Sequence, residues 1–268
     1  NHSMNYGMDG MQRTMDLLDG AGIAHTGAGA DLDAAHRHAT VERGGNRVAF
    51  LSYSSVFVPG FAATATRGGI STVRVGTAYE PQDRLVEVPG SPPIIHTTPD
   101  PAQTARMADD IARAKGDADV VAVSWHWGLS PATGGDGRLV GYQQTLARAA
   151  VDAGADLVIG HHPHRLQAIE VYRGRVVFYS LGNFAFDQIR GQRQTTALAR
   201  CRIEGGAIRE VGFVPAVINE DAQPILAGAE AGAAIVEEVR ALSAKFGTVF
   251  EPGPDAVVPA TATKFPIR

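Results

Sequence analysis

Three of the chain's nine histidines fall within four positions, in Val158-Ile159-Gly160-His161-His162-Pro163-His164. A neutral imidazole nitrogen is the commonest side-chain metal ligand at ordinary pH. His162 and His164 have H-x-H spacing, and in an extended segment alternate side chains share a face, so both rings can reach one metal or two neighbouring metals. On that alternation His161 points the other way and packs or supports. Gly160 lets the backbone turn sharply where the strand ends. The competing reading is a polar turn with incidental histidines, but the well-formed apolar strand before it argues for a rigid mount.

A second histidine leaves a valine-rich run in the same manner, in Val120-Val121-Ala122-Val123-Ser124-Trp125-His126-Trp127-Gly128. A lone histidine at a strand end is more often a hydrogen-bonded core residue than a ligand. Here a helical stretch, Leu139 to Asp152, lies between the two histidine-bearing strands and closes at Gly154, a good residue for a helix C-terminus. Strand, helix, strand is a βαβ unit, which brings both strand ends to one edge of a parallel sheet. Ligands bind at that edge in open α/β sheets. His126 thus converges with His162 and His164, while Trp125 and Trp127 form the wall. Asn183, in Ser180-Leu181-Gly182-Asn183-Phe184, ends a further strand and lines the pocket or bonds its own turn. Asp187 is a carboxylate near that loop, with surface the better assignment. His25, His36, His38 and His96 have no ligand-like spacing and are assigned to surface or packing.

The elements that carry these residues are readable from periodicity. Helical spacing runs from Gly10 to Asp19 and from Ala102 to Lys115, and short apolar runs at Arg47 to Tyr53, Asp119 to Ser124 and Leu157 to Ile159 predict buried strands. Ala168 to Tyr172 and Val176 to Ser180, joined by Arg173-Gly174-Arg175, predict a hairpin, as do Thr196 to Ile203 and Ile208 to Val217 across Gly205-Gly206. The Gly- and Pro-rich stretch from Pro59 to Pro101 is long for one loop, so it wraps the surface near the site or holds short strands. A last amphipathic helix spans about Ala229 to Phe246. Alternating strands and helices predict an α/β layered fold, with one domain over residues 1–250 and a Pro-rich tail over 251–268.

The composition narrows the function. With 268 residues, 44% hydrophobic and 19% charged, the chain has the make-up of a single large globular domain. A formal charge of −4 gives no electrostatic reason to expect nucleic acid. Cys201 is the only cysteine, so neither an internal disulfide nor a thiolate metal cluster is possible. No apolar run approaches the ~20 residues of a membrane span. No nucleophile elbow, P-loop or dinucleotide fingerprint occurs.

Several segments together resemble the CapA/PgsA family of bacterial capsule and poly-γ-glutamate biosynthesis proteins, built on the calcineurin-like metallophosphoesterase fold. They are Asn1-His2…Asn5-Tyr6-Gly7, Ala21-Gly22-Ile23…Gly27-Ala28-Gly29, Ser124 to Gly128, Ala153 to His164 and Phe178 to Phe184. The resemblance implies a layered metallophosphoesterase-like β-sandwich flanked by helices. It implies that Asn1 binds one metal, that His2 protonates the leaving group, that His126 ligates the same metal as Asn1, and that His162 and His164 reach one metal each. Two divalent ions (Mn, Zn or Fe) would activate water for in-line displacement. Two earlier motifs of the superfamily, an Asp-x-His pair and a bridging carboxylate, precede the Asn-His motif. The resemblance therefore makes the domain N-terminally truncated, with the first sandwich strands and any signal or anchor upstream. Localisation stays open between the cell envelope and the cytoplasm on the same ground.

Two functions compete. One is a metal-dependent hydrolase acting on a phosphoester or an amide linkage in an anionic polymer. The other is a non-catalytic binding or assembly subunit of a polymer-synthesis complex on the same fold. A solitary structural metal site is a third, blander reading.

Overall fold

The computed structural model describes residues 1–82, 87–131, 137–187, 194–252 and 257–259. In chain order the elements begin with α1 (Gly7–Gly20), β1 (Ala28–Gly29), α2 (Leu32–Ala35), β2 (Ala39–Arg43) and β3 (Asn46–Ser54). Next come β4 (Gly69–Ile70), β5 (Val75–Glu80), β6 (Ile94–Pro99), α3 (Pro101–Asp117), β7 (Val120–His126), α4 (Gly141–Asp152) and β8 (Leu157–His161). The remainder are β9 (Ile169–Tyr172), β10 (Arg175–Phe178), β11 (Gln194–Glu204), β12 (Ala207–Ile218), β13 (Pro224–Leu226) and α5 (Ala229–Ser243). A 3-10 turn (Ala244–Phe246) and the short strands β14 (Phe250–Pro252) and β15 (Val257–Pro259) follow. Residues 260–268 of the Pro-rich tail lie outside the described residues.

A six-stranded mixed sheet, in the order β2-β3-β7-β8-β10-β9, forms the centre. The pairs β3–β7, β7–β8 and β8–β10 are parallel, and the edge pairs are antiparallel. Because side chains alternate along a strand, each central strand feeds two cores. Val121, Val123, Trp125, Val158, Val177 and Tyr179 face one core, with Met107, Ile111 and Leu146 of the helices packed there. Ala122, Leu157, Val176 and Phe178 face the other, against Val211 and Phe213 of β12 and Ile235 and Val239 of α5. The second sheet runs β11-β12-β15-β14, with β13 also paired to β12. The architecture is mixed α/β and layered, helices on one face of the central sheet and a second sheet with α5 on the other.

The local chemistry accounts for the elements. Asp100 caps α3 by accepting from the Gln103 amide at 2.9 Å, and Pro101 follows it at the first turn, where a missing N–H costs nothing. Met107, Ile111 and Ala114 recur on one face and are fully buried. After α4, the Gly154 amide bonds Val151 and the Ala155 amide bonds Ala150, each at 3.0 Å, so the last carbonyls are satisfied. Both expected hairpins form. Arg173-Gly174 and Gly205-Gly206 each hold two consecutive positive φ angles, the two-residue turn whose twist matches the strands. The 59–101 stretch does hold short strands: β5 pairs with β6, and β4 with β1. Among the described residues, no helix is long and apolar enough to cross a membrane.

Candidate metal-binding cavity

Strands β7 and β8 run parallel and in register, so His126 stands opposite His161. Strand parity places His126 on the face of Ala122, and His161 on the face of Leu157, which is the same face. His126 and His161 line one cavity of about 240 Å³ together with Asn1, Ser54 and Ser124. The expectation that His161 points away is therefore corrected. The strand extends through His161, two residues further than its apolar run, and the H-x-H segment after it is not extended. His162 has φ 96° and His164 φ 56°, in the left-handed region that non-glycine residues seldom occupy. The reversal at His162 interrupts the alternation and brings its ring back to His126, with centroids 4.7 Å apart. The His164 ring lies 5.8 Å beyond that of His162 and packs on Phe186.

Gly160 also has a different role from a turn residue. It sits inside β8 without a positive φ, and a Cβ there would stand 2.1 Å from the Tyr179 carbonyl oxygen and 2.4 Å from Trp127 Nε1. Close approach requires the glycine. Trp127 Nε1 donates to the same Tyr179 carbonyl at 2.8 Å, and Trp125 stacks on Trp127 with centroids 4.9 Å apart. Both indoles are fully buried in the core, and Trp125 also borders the cavity while Trp127 does not.

The remaining expected residues fall nearby. Asn1 lines the cavity. His2 is exposed, is bonded to Asn5 at 3.0 Å, and is close enough to His162 for their charges to interact. Asn183 neither lines this cavity nor bonds its own turn: its Oδ1 meets His164 Nδ1 at 2.7 Å while its Nδ2 donates to Gln194 at 2.7 Å. It orients an imidazole. Asp187 is exposed. The histidines assigned to surface or packing pair with carboxylates instead: His25 with Asp19, His36 with Asp110, His38 with Asp117 and His96 with Glu80.

Electrostatics keep the central rings neutral. Burial pushes the His126 imidazole down to about 3, and the rings of His162, His161 and His164 disfavour its protonation further. Burial, then His164 and His2, push His162 down to about 4. Burial lowers His161 too, opposed by its bond to the Gly182 backbone. His126 Nε2 and His162 Nδ1 are buried and have no hydrogen-bond partner. Buried polar atoms are nearly always paired, so two orphans on adjacent rings are an opening for a ligand. The donor set fits a borderline cation in kind, but among the described residues no group of three or more His, Cys, Asp or Glu is assembled to hold one.

Sequence reasoning missed the serines. Ser54 stands opposite His126, and Ser52 opposite Ser124, across the parallel β3–β7 register, and all three serines border the cavity. The signal was present: after the apolar runs Val48–Leu51 of β3 and Val120–Val123 of β7, serines appear at both carboxyl ends.

Residues 1–188 match the family described as "Bacterial capsule synthesis protein PGA_cap". The chain belongs to that family. It is 33% identical over 221 residues to the Bacillus subtilis protein named "PGA biosynthesis protein CapA", covering 82% of this chain and 50% of that one. It is 33% identical over 220 residues to the Bacillus anthracis "Capsule biosynthesis protein CapA", covering 82% and 46% respectively. A Mycobacterium tuberculosis relative, "Probable polyglutamine synthesis accessory protein", is 33% identical over 199 residues, 70% of this chain and 43% of that one. The chain thus spans about half the length of the curated relatives it matches.

Proposed function

We propose that this domain serves the synthesis of a bacterial anionic polymer of the capsule or poly-γ-glutamate type, as a metal-dependent hydrolase with phosphoesterase-like chemistry. The observation that carries the reading is the pair of unpartnered nitrogens, His126 Nε2 and His162 Nδ1, on rings held neutral 4.7 Å apart. Neutral imidazole is the ligating form. His126 and His162, with His164 and Asn1, would hold a divalent ion (Mn, Zn or Fe). Such an ion supplies an activated water and neutralises developing negative charge. The protein's own residues do the positioning. Asn183 holds His164 Nδ1, leaving Nε2 as the nitrogen for a metal. His2, exposed beside His162, would be the proton donor to a leaving oxygen. The cavity wall carries serines, Asn1, His126 and His161, with His162 and His164 beyond its lining, and no described carboxylate, so these neutral groups suit one cation better than two. A two-ion centre would draw anionic ligands from beyond it.

A second reading is a binding or assembly subunit of a polymer-synthesis complex. It is favoured by the lack of a preassembled ligand group among the described residues and by the name "accessory protein" carried by one relative. Metal analysis with phosphomonoester and phosphodiester assays, on the parent protein and on His162→Ala, separates the two. The hydrolase reading expects bound metal and at least a tenfold loss of metal affinity or turnover in the variant. Unchanged turnover in His162→Ala overturns it, and a metal-free parent without turnover favours the assembly role.

A further inference from the structure

A second concavity, distinct from the histidine cavity, opens between α2, the segment that follows β3 and the amino-terminal end of α3. It has a volume of about 350 Å³, and its wall includes Arg67, Arg74, Arg106 and His36 but no described acidic residue. The state of each guanidinium matters. Arg106 is paired with Asp33 at 3.2 Å, an exposed carboxylate that competes weakly. The Arg67 guanidinium donates to the Ala62 carbonyl at 3.1 Å and pairs with no described carboxylate. No described carboxylate pairs with Arg74, whose backbone is tied down by Gln103 Oε1 on its amide and by the Asp100 amide on its carbonyl, each at 2.8 Å. Arg74 therefore keeps its whole fork for a planar anion, and Arg67 keeps the part not bonded to Ala62.

The floor is built as well. His36 is buried, and its Nδ1 sits 2.6 Å from Asp110 Oδ2, which leaves Nε2 as the nitrogen available to a ligand. Asp110 is in turn held by the Tyr53 hydroxyl at 3.1 Å and by the Arg113 guanidinium. The carboxylate beneath His36 is thus neutralised from other sides and does not present its charge to the cleft. Ala102 and Gln103 bring the first turn of α3 to the wall, where the helix dipole is positive. Asp100 caps that turn by accepting from Gln103 and offsets part of the dipole.

We propose that this cleft binds an anionic group, a carboxylate or a phosphate, of an extended ligand, with Arg74 and Arg67 as the principal contacts. It shares a wall with the histidine cavity. Ile70 and Ser71 border that cavity and Thr72 borders the cleft, while Tyr53 spans from the cavity to Asp110 beneath His36. A ligand with anionic groups at intervals along a chain can therefore occupy the cleft with one group while presenting another region near His126. The inference concerns binding alone and stands whether or not the histidine site is catalytic.

The test is calorimetric titration of the protein with inorganic phosphate and, separately, with a glutamate oligomer, at two salt concentrations. Parent, Arg74→Ala and Arg67→Ala/Arg74→Ala are compared, with Arg209→Ala as a control for general surface charge. The expected result is affinity for at least one probe that weakens at least tenfold in the double variant, falls with salt, and is retained in Arg209→Ala. The probe that binds identifies the anion. Binding of neither probe, equal affinity in parent and double variant, or an equal loss in Arg209→Ala overturns the proposal.

Discussion

Acidification should destabilise this fold through His126 before it does so through most carboxylates. The ring's folded value is about 3 against an ordinary 6.5. Since its folded value is depressed, the unfolded chain takes up the proton first as pH falls. The stability associated with the neutral ring is complete above about pH 6.5 and is lost progressively down to about pH 3. At ~1.4 kcal/mol per unit, the full difference is about 5 kcal/mol, of which about 2 kcal/mol has gone by pH 5. His126→Gln keeps a polar side chain of similar reach and removes the titration. Urea unfolding at pH 7.5 and pH 5.0 measures the effect. The parent should lose about 2 kcal/mol more than the variant over that interval. Equal losses in the two proteins would refute the reasoning, because the ring would then not be held neutral by its surroundings. A divalent metal added at pH 7.5 should stabilise the parent and leave His126→Gln nearly unmoved, a check that needs no enzymatic assay.

Gly160→Ala should lower stability by about 1–3 kcal/mol or more, read as a fall in Tm, since its Cβ meets backbone at Tyr179 as well as the Trp127 indole. Asn183→Ala should cost about 1 kcal/mol and weaken metal affinity about 10- to 100-fold by releasing His164, measured by competition with a chromophoric chelator. Asp156→Asn should cost roughly 3 kcal/mol in a denaturant titration, because the buried carboxylate accepts from Lys115 at 2.7 Å, Arg175 at 3.0 Å and the Val121 amide at 2.9 Å. Gly206→Ala should cost about 1 kcal/mol by forcing a side chain to φ 74°, and the same thermal melts would show it.

The parts of the fold that were legible in the sequence are those set by local chemistry. Asp100-Pro101 starts a helix and Gly154 stops one through bonds made within a few residues. Gly205-Gly206 closes a hairpin because glycine alone takes both φ values freely. The convergence of His126 with His162 also followed from sequence, since a parallel βαβ unit has one handedness and one ligand-bearing edge. Alternation does not carry through His161-His162-Pro163-His164. Its period of two holds only while the backbone is extended, and nothing in those letters marks where extension ends.

The sequence by itself determined the element order, the two strands that deliver histidines to one sheet edge, and the family to which the chain belongs. Only the tertiary structure decided which imidazoles share a face, through the β7–β8 register and the φ of 96° at His162. It also decided that Asn183 holds His164, that Gly160 exists for the contact with Tyr179, and that Arg67 and Arg74 gather over His36. These depend on distances between residues far apart in the chain. Burial and register fix such distances, and they become defined only when the whole core packs.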